Sequence, residues 1–380
     1  MPRLEIPTPS LLALHAADEQ QAVALAAQHF AAAEILALTG GGSHETPHDL
    51  HVRIAKRLRE RNMVVVCGQL DSTALRQDLV RLAKLENHYA VALIVDESDA
   101  DREARWRTDG FRRVWTVRDG EELDLAQTPL RSDRRELKGP FDVIGDVHGC
   151  RTELDQLLEQ LGYRLESGTL GPIARHPEGR TLVFVGDLVD RGPDVVGVLR
   201  IAMASVLEGD ALCVPGNHEA KLRRHLKTGT VELTHGLAES IEQLDREPPE
   251  FLEQVATFID GLPSHIMLAG GELCISHAGL PERLQGRASR RVRSHCLYGE
   301  TTGKTDESGF PIRVDWAASQ TGGAFVVYGH TPVPEPRHAP HAICIDTGCV
   351  FGGSLTALRW PEHDLVQVPA ERMHWDPLAQ

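Results

Sequence analysis

Residues 141–149 read Phe-Asp-Val-Ile-Gly-Asp-Val-His-Gly. A short apolar run ends at Gly145, and Asp146 and His148 follow at once. The same event recurs downstream. Residues 181–185 run into Gly186-Asp187, 211–214 into Pro215-Gly216-Asn217-His218-Glu219, and 273–276 into His277-Ala278-Gly279. Residues 324–328 run into Gly329-His330, and 342–345 into Asp346-Thr347-Gly348. Short apolar runs bounded by turn residues predict buried strands. In α/β sheets, ligand sites collect beyond the carboxyl ends of strands. Six strand ends therefore bring Asp, Asn and His side chains to one edge.

These residue types suit a pair of divalent cations. Two such ions about 3.5–4 Å apart activate a water and hold both oxygens of an in-line displacement at phosphorus. That demands several imidazole and carboxylate ligands, one of them bridging. Asp146 and His148 lie on the same side of the chain if the strand continues to them. Asp187 is the natural bridge, and Asn217, His277 and His330 complete the second ion. Arg191 carries the planar fork that fits phosphate oxygens.

Gly-Asp-Val-His-Gly (145–149), Gly-Asp-Leu-Val-Asp-Arg-Gly (186–192), Gly-Asn-His-Glu (216–219), Ser-His-Ala-Gly-Leu (276–280) and Gly-His-Thr-Pro (329–332) occur together and in this order. The set resembles the calcineurin-like metallophosphoesterases. Further on, Leu-Tyr-Gly-Glu-Thr-Thr-Gly (297–303), the run 327–336 and the run 343–353 resemble the phosphatase domain of bacterial polynucleotide kinase–phosphatase. That likeness covers about residues 140–370 well and 1–139 weakly.

The resemblance implies two facing β-sheets flanked by helices, with metals at one edge. It implies a phosphatase that removes 2′- or 3′-phosphates, or opens 2′,3′-cyclic phosphates, on nucleotide or RNA ends. Two divalent ions are implied, with Mn²⁺ preferred and Ni²⁺, Fe or Zn²⁺ as alternatives at such a mixed N/O site. Asp146, His148 and Asp187 would hold one ion, and Asp187, Asn217, His277 and His330 the other. Arg191 and His218 would meet the scissile phosphate, with Asp190 orienting His218 as proton donor to the leaving oxygen. Asp346 matches a position needed for activity; its plainer reading is a turn cap in Asp-Thr-Gly. Dinucleoside polyphosphate hydrolases and Ser/Thr protein phosphatases share the motifs and are the competing enzyme readings. A non-catalytic RNA-binding scaffold is the competing reading of another class.

Residues 1–125 alternate strand-like and helix-like runs, the rhythm of a parallel sheet with crossover helices. Strands are predicted at 10–14, 34–38, 63–67, 90–96 and 114–117, and helices at 18–30, 48–61 and 74–85, with Asp18 as an N-cap. The layout resembles the kinase domain of the same bacterial enzymes without its chemistry. A phosphate-binding loop should follow the first strand as G-x-x-x-x-G-K-[ST]. The chain has His15-Ala16-Ala17-Asp18-Glu19-Gln20-Gln21-Ala22-Val23 there, with no glycine, lysine or hydroxyl. This predicts a degenerate kinase-like domain that binds no ATP. Gly40–Gly42 is a weak phosphate-loop pattern or a plain flexible loop. The lid-like segment between Asp96 and Phe111 is short.

Residues 126–139 are predicted as a linker, whose arginines are either solvated or in contact with a nucleic acid strand. The phosphoesterase-like domain then covers 140–380. Thr152 is a predicted N-cap, Leu154, Leu157, Leu158 and Leu161 form a core face, and Gly162 ends the helix. Residues 220–258 are helical in pattern with a break at Pro248-Pro249, and 281–311 read as an irregular loop. Arg283, Arg287, Arg290, Arg291 and Arg293 are there either a solvated run or a clamp for a polyanion.

The 380 residues allow two domains with full cores. The formal net charge of −15 argues against a protein that coats nucleic acid by charge alone. Seven cysteines without a C-x-x-C pair argue against a disulfide framework, and Cys150 reads as a small buried residue. No apolar run is long enough to span a membrane, and the N-terminus lacks a basic start followed by an apolar segment, so a cytoplasmic protein is expected.

Overall fold

A computed structural model describes residues 3–30, 33–38, 47–95, 100–305 and 311–376. The chain divides into two compact units. One is Met1–Leu130 with Gly286–Val292; the other is Arg131–Gln285 with Arg293–Gln380.

In the first unit the sheet has five parallel strands in the order Glu34–Ala37, Val64–Gly68, Leu11–Ala16, Ala90–Val95, Val114–Val117. Every residue of the central strand Leu11–Ala16 is buried. Its side chains alternate between two cores: Leu11 and Ala13 face one, Leu12 and Leu14 the other. Both faces are thus covered, as a parallel sheet requires. Helix Glu19–His29 begins two residues after this strand, with Asp18 as the N-cap accepting from the Gln20 amide at 3.0 Å. Gly40–Gly42 and Asp96 lie outside the described residues.

Three features differ from the expectation. The strands Arg3–Thr8 and Asp124–Pro129 pair in parallel, so the start of the expected linker is structured. The linker arginines are occupied too: Arg135 binds Asp133 at 2.6 and 2.7 Å, and Arg134 binds Glu136 at 2.7 Å. A helix, Ala100–Asp109, fills most of the lid-like segment. Arg287 is buried rather than solvated: its guanidinium donates to the carbonyls of Arg59 and Glu86 at 2.8 and 2.7 Å. Those carbonyls end the helices Pro47–Arg59 and Thr73–Leu85, where free acceptors attract cations.

The second unit holds two five-stranded sheets. One has the order Ala211–Cys213, Thr181–Phe184, Phe141–Ile144, Ser354–Trp360, Asp364–Pro369, with the first three parallel. The other has the order Ile266–Leu268, Leu273–Ile275, Phe325–Tyr328, Ala342–Cys344, Arg337–Ala339, with the middle three parallel. Phe141, Val143 and Val183 of the first sheet share a core with Leu273, Ile275, Val327 and Ile343 of the second. The alternate residues Ile144, Leu182 and Phe184 face a second core built with helices Arg151–Leu161 and Val195–Leu207. Period-two alternation thus places one sheet between its partner and a helical layer.

Helix Arg151–Leu161 buries Leu154, Leu157, Leu158 and Leu161 as expected, and Gly162 closes it with a left-handed φ of 93°. Its N-cap is Cys150, with no side-chain cap bond, so Thr152 lies one residue inside the helix. The cap falls earlier because the loop from the preceding strand turns sharply through Val147–Gly149. Within the segment expected to be irregular, residues 281–305 carry the helix Arg290–Tyr298 and the strand Thr301–Thr305. No helix among the described residues is long and apolar enough to cross a membrane.

Candidate metal centre

The six parallel strands of the second unit, three per sheet, end beside one another and release loops. Five loop residues there hold left-handed backbone angles although none is glycine. They are His148 (φ 46°), Asp187 (49°), Asp190 (74°), Arg191 (71°) and His330 (74°). Such conformations persist where surrounding bonds over-determine them.

Glu219 supplies many of those bonds. Its buried carboxylate accepts from the amides of Asp187, Leu188, Val189 and Gly216 at 2.8, 2.8, 3.2 and 2.6 Å. The amides of Val147 and His148 donate to the Asp187 carbonyl at 3.1 and 2.8 Å, tying the first two motifs together. Glycine is required at 216, where a Cβ would lie 1.9 Å from Asp187 Oδ1.

Asp187 lies between two groups of imidazoles. On one side its Oδ2 is 3.5 Å from His148 Nε2 and 3.9 Å from His218 Nε2. On the other it is 3.4 Å from His277 Nε2, which lies 3.0 Å from both Asn217 Oδ1 and His330 Nδ1. His148, Asp187 and His218 form one cluster able to hold a metal, and Asp187, His277 and His330 another, with Asp187 common to both. The ring Nδ1 of His148 meets the Val189 carbonyl at 2.8 Å, which directs Nε2 inward. His277 is held likewise by the Val185 carbonyl at 3.2 Å.

Asp146 adjoins these clusters. Its Oδ2 accepts from the His330 amide at 2.9 Å, while its buried Oδ1 has no partner; the buried Nε2 of His330 has none either. Buried polar atoms without partners are costly and point to a missing ligand. Asp346 caps its own turn, accepting from the Gly348 amide at 3.1 Å, and also interacts with Asp146. The turn-cap reading of Asp346 is thus observed, and its contact with Asp146 places it beside the candidate ligands.

Burial dominates the electrostatics. It raises Asp146 well above the usual carboxylate range, helped by the charges of Asp346 and Asp187. It raises Asp187 similarly, with Glu219 adding repulsion. Burial pushes Asp346 up to about 6. The same desolvation holds His148, His218 and His330 well below the ordinary imidazole value and takes His277 down to about 3. The imidazoles are thus neutral, as ligation requires, and the crowded carboxylates call for positive charge.

Two further groups flank the clusters. His218 Nδ1 lies 2.5 Å from Asp190 Oδ2, and Asp190 is fixed in turn by Ser240, whose hydroxyl donates to Oδ1 at 2.5 Å. Arg191 places Nη1 2.8 Å from His148 Nε2. All ten residues singled out from the sequence therefore lie around one site. Sequence reasoning missed Glu219 and Ser240 as supports. Glu219 was detectable as the third helical residue after the cap Gly216, the position from which a glutamate reaches back to free amides. Ser240, 50 residues from Asp190, left no local pattern. Nearby, Cys150, Glu153 and Cys349 form a separate buried group, with Cys150 buried as expected.

A family model described as calcineurin-like phosphoesterase matches residues 139–365. The chain is 45% identical over 234 residues to the bis(5′-nucleosyl)-tetraphosphatase PrpE [asymmetrical] of Bacillus subtilis (strain 168), covering 60% of this chain and 94% of that one. It is 45% identical over 238 residues to the protein of the same name from Geobacillus thermodenitrificans (strain NG80-2), covering 62% and 96%. A third protein of that name, from Geobacillus sp. (strain WCH70), is 43% identical over 234 residues, covering 60% and 94%.

Proposed function

The chain belongs to the calcineurin-like phosphoesterases and is a hydrolase, and from that premise we propose that it cleaves the phosphate chain of a dinucleoside polyphosphate at a site for two divalent ions. The carrying observation is the Asp187 carboxylate shared between two imidazole clusters. Asp146, His148 and Asp187 would hold one ion, and Asp187, Asn217, His277 and His330 the other. The unpartnered Asp146 Oδ1 and His330 Nε2 are donor atoms such ions would satisfy. When bound, the ions supply an acidified water and positive charge for the phosphoryl oxygens; Mn²⁺ is the proposed ion.

The chain's own side chains carry the remaining work. Arg191 turns its fork to the phosphoryl oxygens as negative charge develops. Asp190 holds His218 through Nδ1, which leaves Nε2 to carry the proton for the departing oxygen. Asp346, which interacts with Asp146, keeps that ligand in place. The N-terminal unit is proposed to be a degenerate kinase-like domain. Only Ala17 and Asp18 connect strand to helix there, too short a loop to wrap phosphates, and Asp18 and Glu19 repel them.

The substrate is chosen from the printed activity of the relatives, which share 43–45% identity over 94–96% of their length. The polynucleotide-end reading rests on residues 297–303 and 343–353 and is the second outcome of the test. Purified protein with Mn²⁺ is assayed side by side on diadenosine tetraphosphate, an RNA 3′-phosphate, a 2′,3′-cyclic mononucleotide and a phosphopeptide. Conversion of the tetraphosphate to ATP and AMP, faster than turnover of the others, is expected. Preference for the RNA or cyclic substrates transfers the assignment to end-healing. Failure to turn over any of them with metal bound overturns the enzyme reading.

A further inference from the structure

The guanidinium of Arg191 is held by aromatic rings. Its Cζ lies 5.1 Å from the ring centroid of Phe351 and 5.2 Å from that of Trp375. The two rings meet edge to face, 5.9 Å apart at 65°. Its Nη1 meets His148 Nε2 at 2.8 Å, while its buried Nε has no partner among the described residues. Aromatic faces attract a guanidinium, more strongly where water is excluded. A planar group stacked in this way also loses rotational freedom before any ligand arrives.

The two rings come from different places. Phe351 ends the short turn Cys349–Phe351 that follows the Asp346 motif. Trp375 lies in the segment after the last strand, beyond the 139–365 match. That segment is fastened at several points. The amides of His374 and Trp375 both donate to the Val350 carbonyl at 3.0 Å. His374 Nε2 lies 2.8 Å from Glu153 Oε1, which also accepts from the Glu371 amide at 3.1 Å. The anchor Glu153 sits fully buried in the helix that follows the first motif. A segment tied down this firmly beside Arg191 needs a reason, and mere solvent cover would not require aromatic faces on a cation.

We propose that Phe351 and Trp375 are positioning residues that clamp the Arg191 guanidinium toward the phosphoryl oxygens of the substrate. Residues 371–376 are then a working part of the phosphate site rather than a cover over its surface. The inference rests on the reading of Arg191 as a phosphate ligand. It is tested on the full-length, Mn²⁺-loaded chain by calorimetric titration with inorganic phosphate, which needs no turnover. The variants are Trp375→Ala, Trp375→Phe, Arg191→Ala and the Trp375→Ala/Arg191→Ala double variant.

Trp375→Ala is expected to weaken phosphate binding about tenfold, and Trp375→Phe to restore most of it, since a ring remains. In the Arg191→Ala background, Trp375→Ala should add nothing, because the clamp has no cation left to hold. An equal loss in both backgrounds would show a packing role and overturn the clamp. So would a Trp375→Ala protein that binds phosphate normally while Arg191→Ala binds weakly. If Arg191→Ala itself binds phosphate normally, the role of Arg191 fails and the clamp falls with it.

Discussion

At the residue scale, the centre depends on a few side chains that each do two tasks. Asp187 faces both imidazole clusters and also accepts from the His218 amide at 3.1 Å. Asp187→Ala is expected to reduce turnover to the background rate and to lower the bound metal found by elemental analysis. Substantial turnover by that variant would refute a shared bridge. Glu219 touches no substrate in this scheme, yet its carboxylate holds four amides of the motif loops. Glu219→Gln places a donor against donors. It should cost about 2 kcal/mol or more of stability, and urea unfolding with parallel rate measurements checks both effects. Unchanged stability would mean that the strained loops are held by something else.

At the element scale, the strand–loop–helix unit is what aims each ligand. In the first unit of this kind, helix Arg151–Leu161 ends at Gly162, whose φ is 93° and whose added Cβ would lie 3.1 Å from His176 Nε2. Gly162→Ala should therefore lower stability by about 1 kcal/mol or more, seen as a fall in Tm. A variant as stable as the parent would show that the left-handed cap carries no strain. The helix start illustrates the opposite case. Thr152 has the right side chain for a cap, but the turn through Val147–Gly149 begins the helix at Arg151 with Cys150 before it. Local preference for the cap was overridden by a loop that is tied to the Asp187 strand.

At the scale of the whole molecule, charge and burial set the response to conditions. The chain carries a net −15, and bound cations would offset part of the local negative charge. In the first unit, His88 is buried beside Arg287, and burial first, then that charge, takes its pKa down to about 4. The unfolded chain takes up this proton near pH 6.5, while the folded unit refuses it until about pH 4. Its contribution is thus complete above about pH 6.5 and is lost progressively as pH falls toward 4. Between pH 7.5 and 5.0 the loss is about 2 kcal/mol. Urea unfolding at the two pH values should show it in the parent and not in His88→Gln; equal slopes would disprove it. The sequence by itself determined the six strand ends, the Asp, Asn and His residues gathered beyond them and the parallel N-terminal sheet, because buried strands need continuous apolar runs and turns out of them favour Asp, Asn and glycine. Only the tertiary structure decided that Ser240 and Glu219 support the loops, and that Trp375 reaches Arg191. It also turned Arg287 from a candidate surface cation into a buried ligand of carbonyls. Those outcomes depend on which distant segments pack together, and pairing across tens to hundreds of residues leaves no periodic trace in the chain.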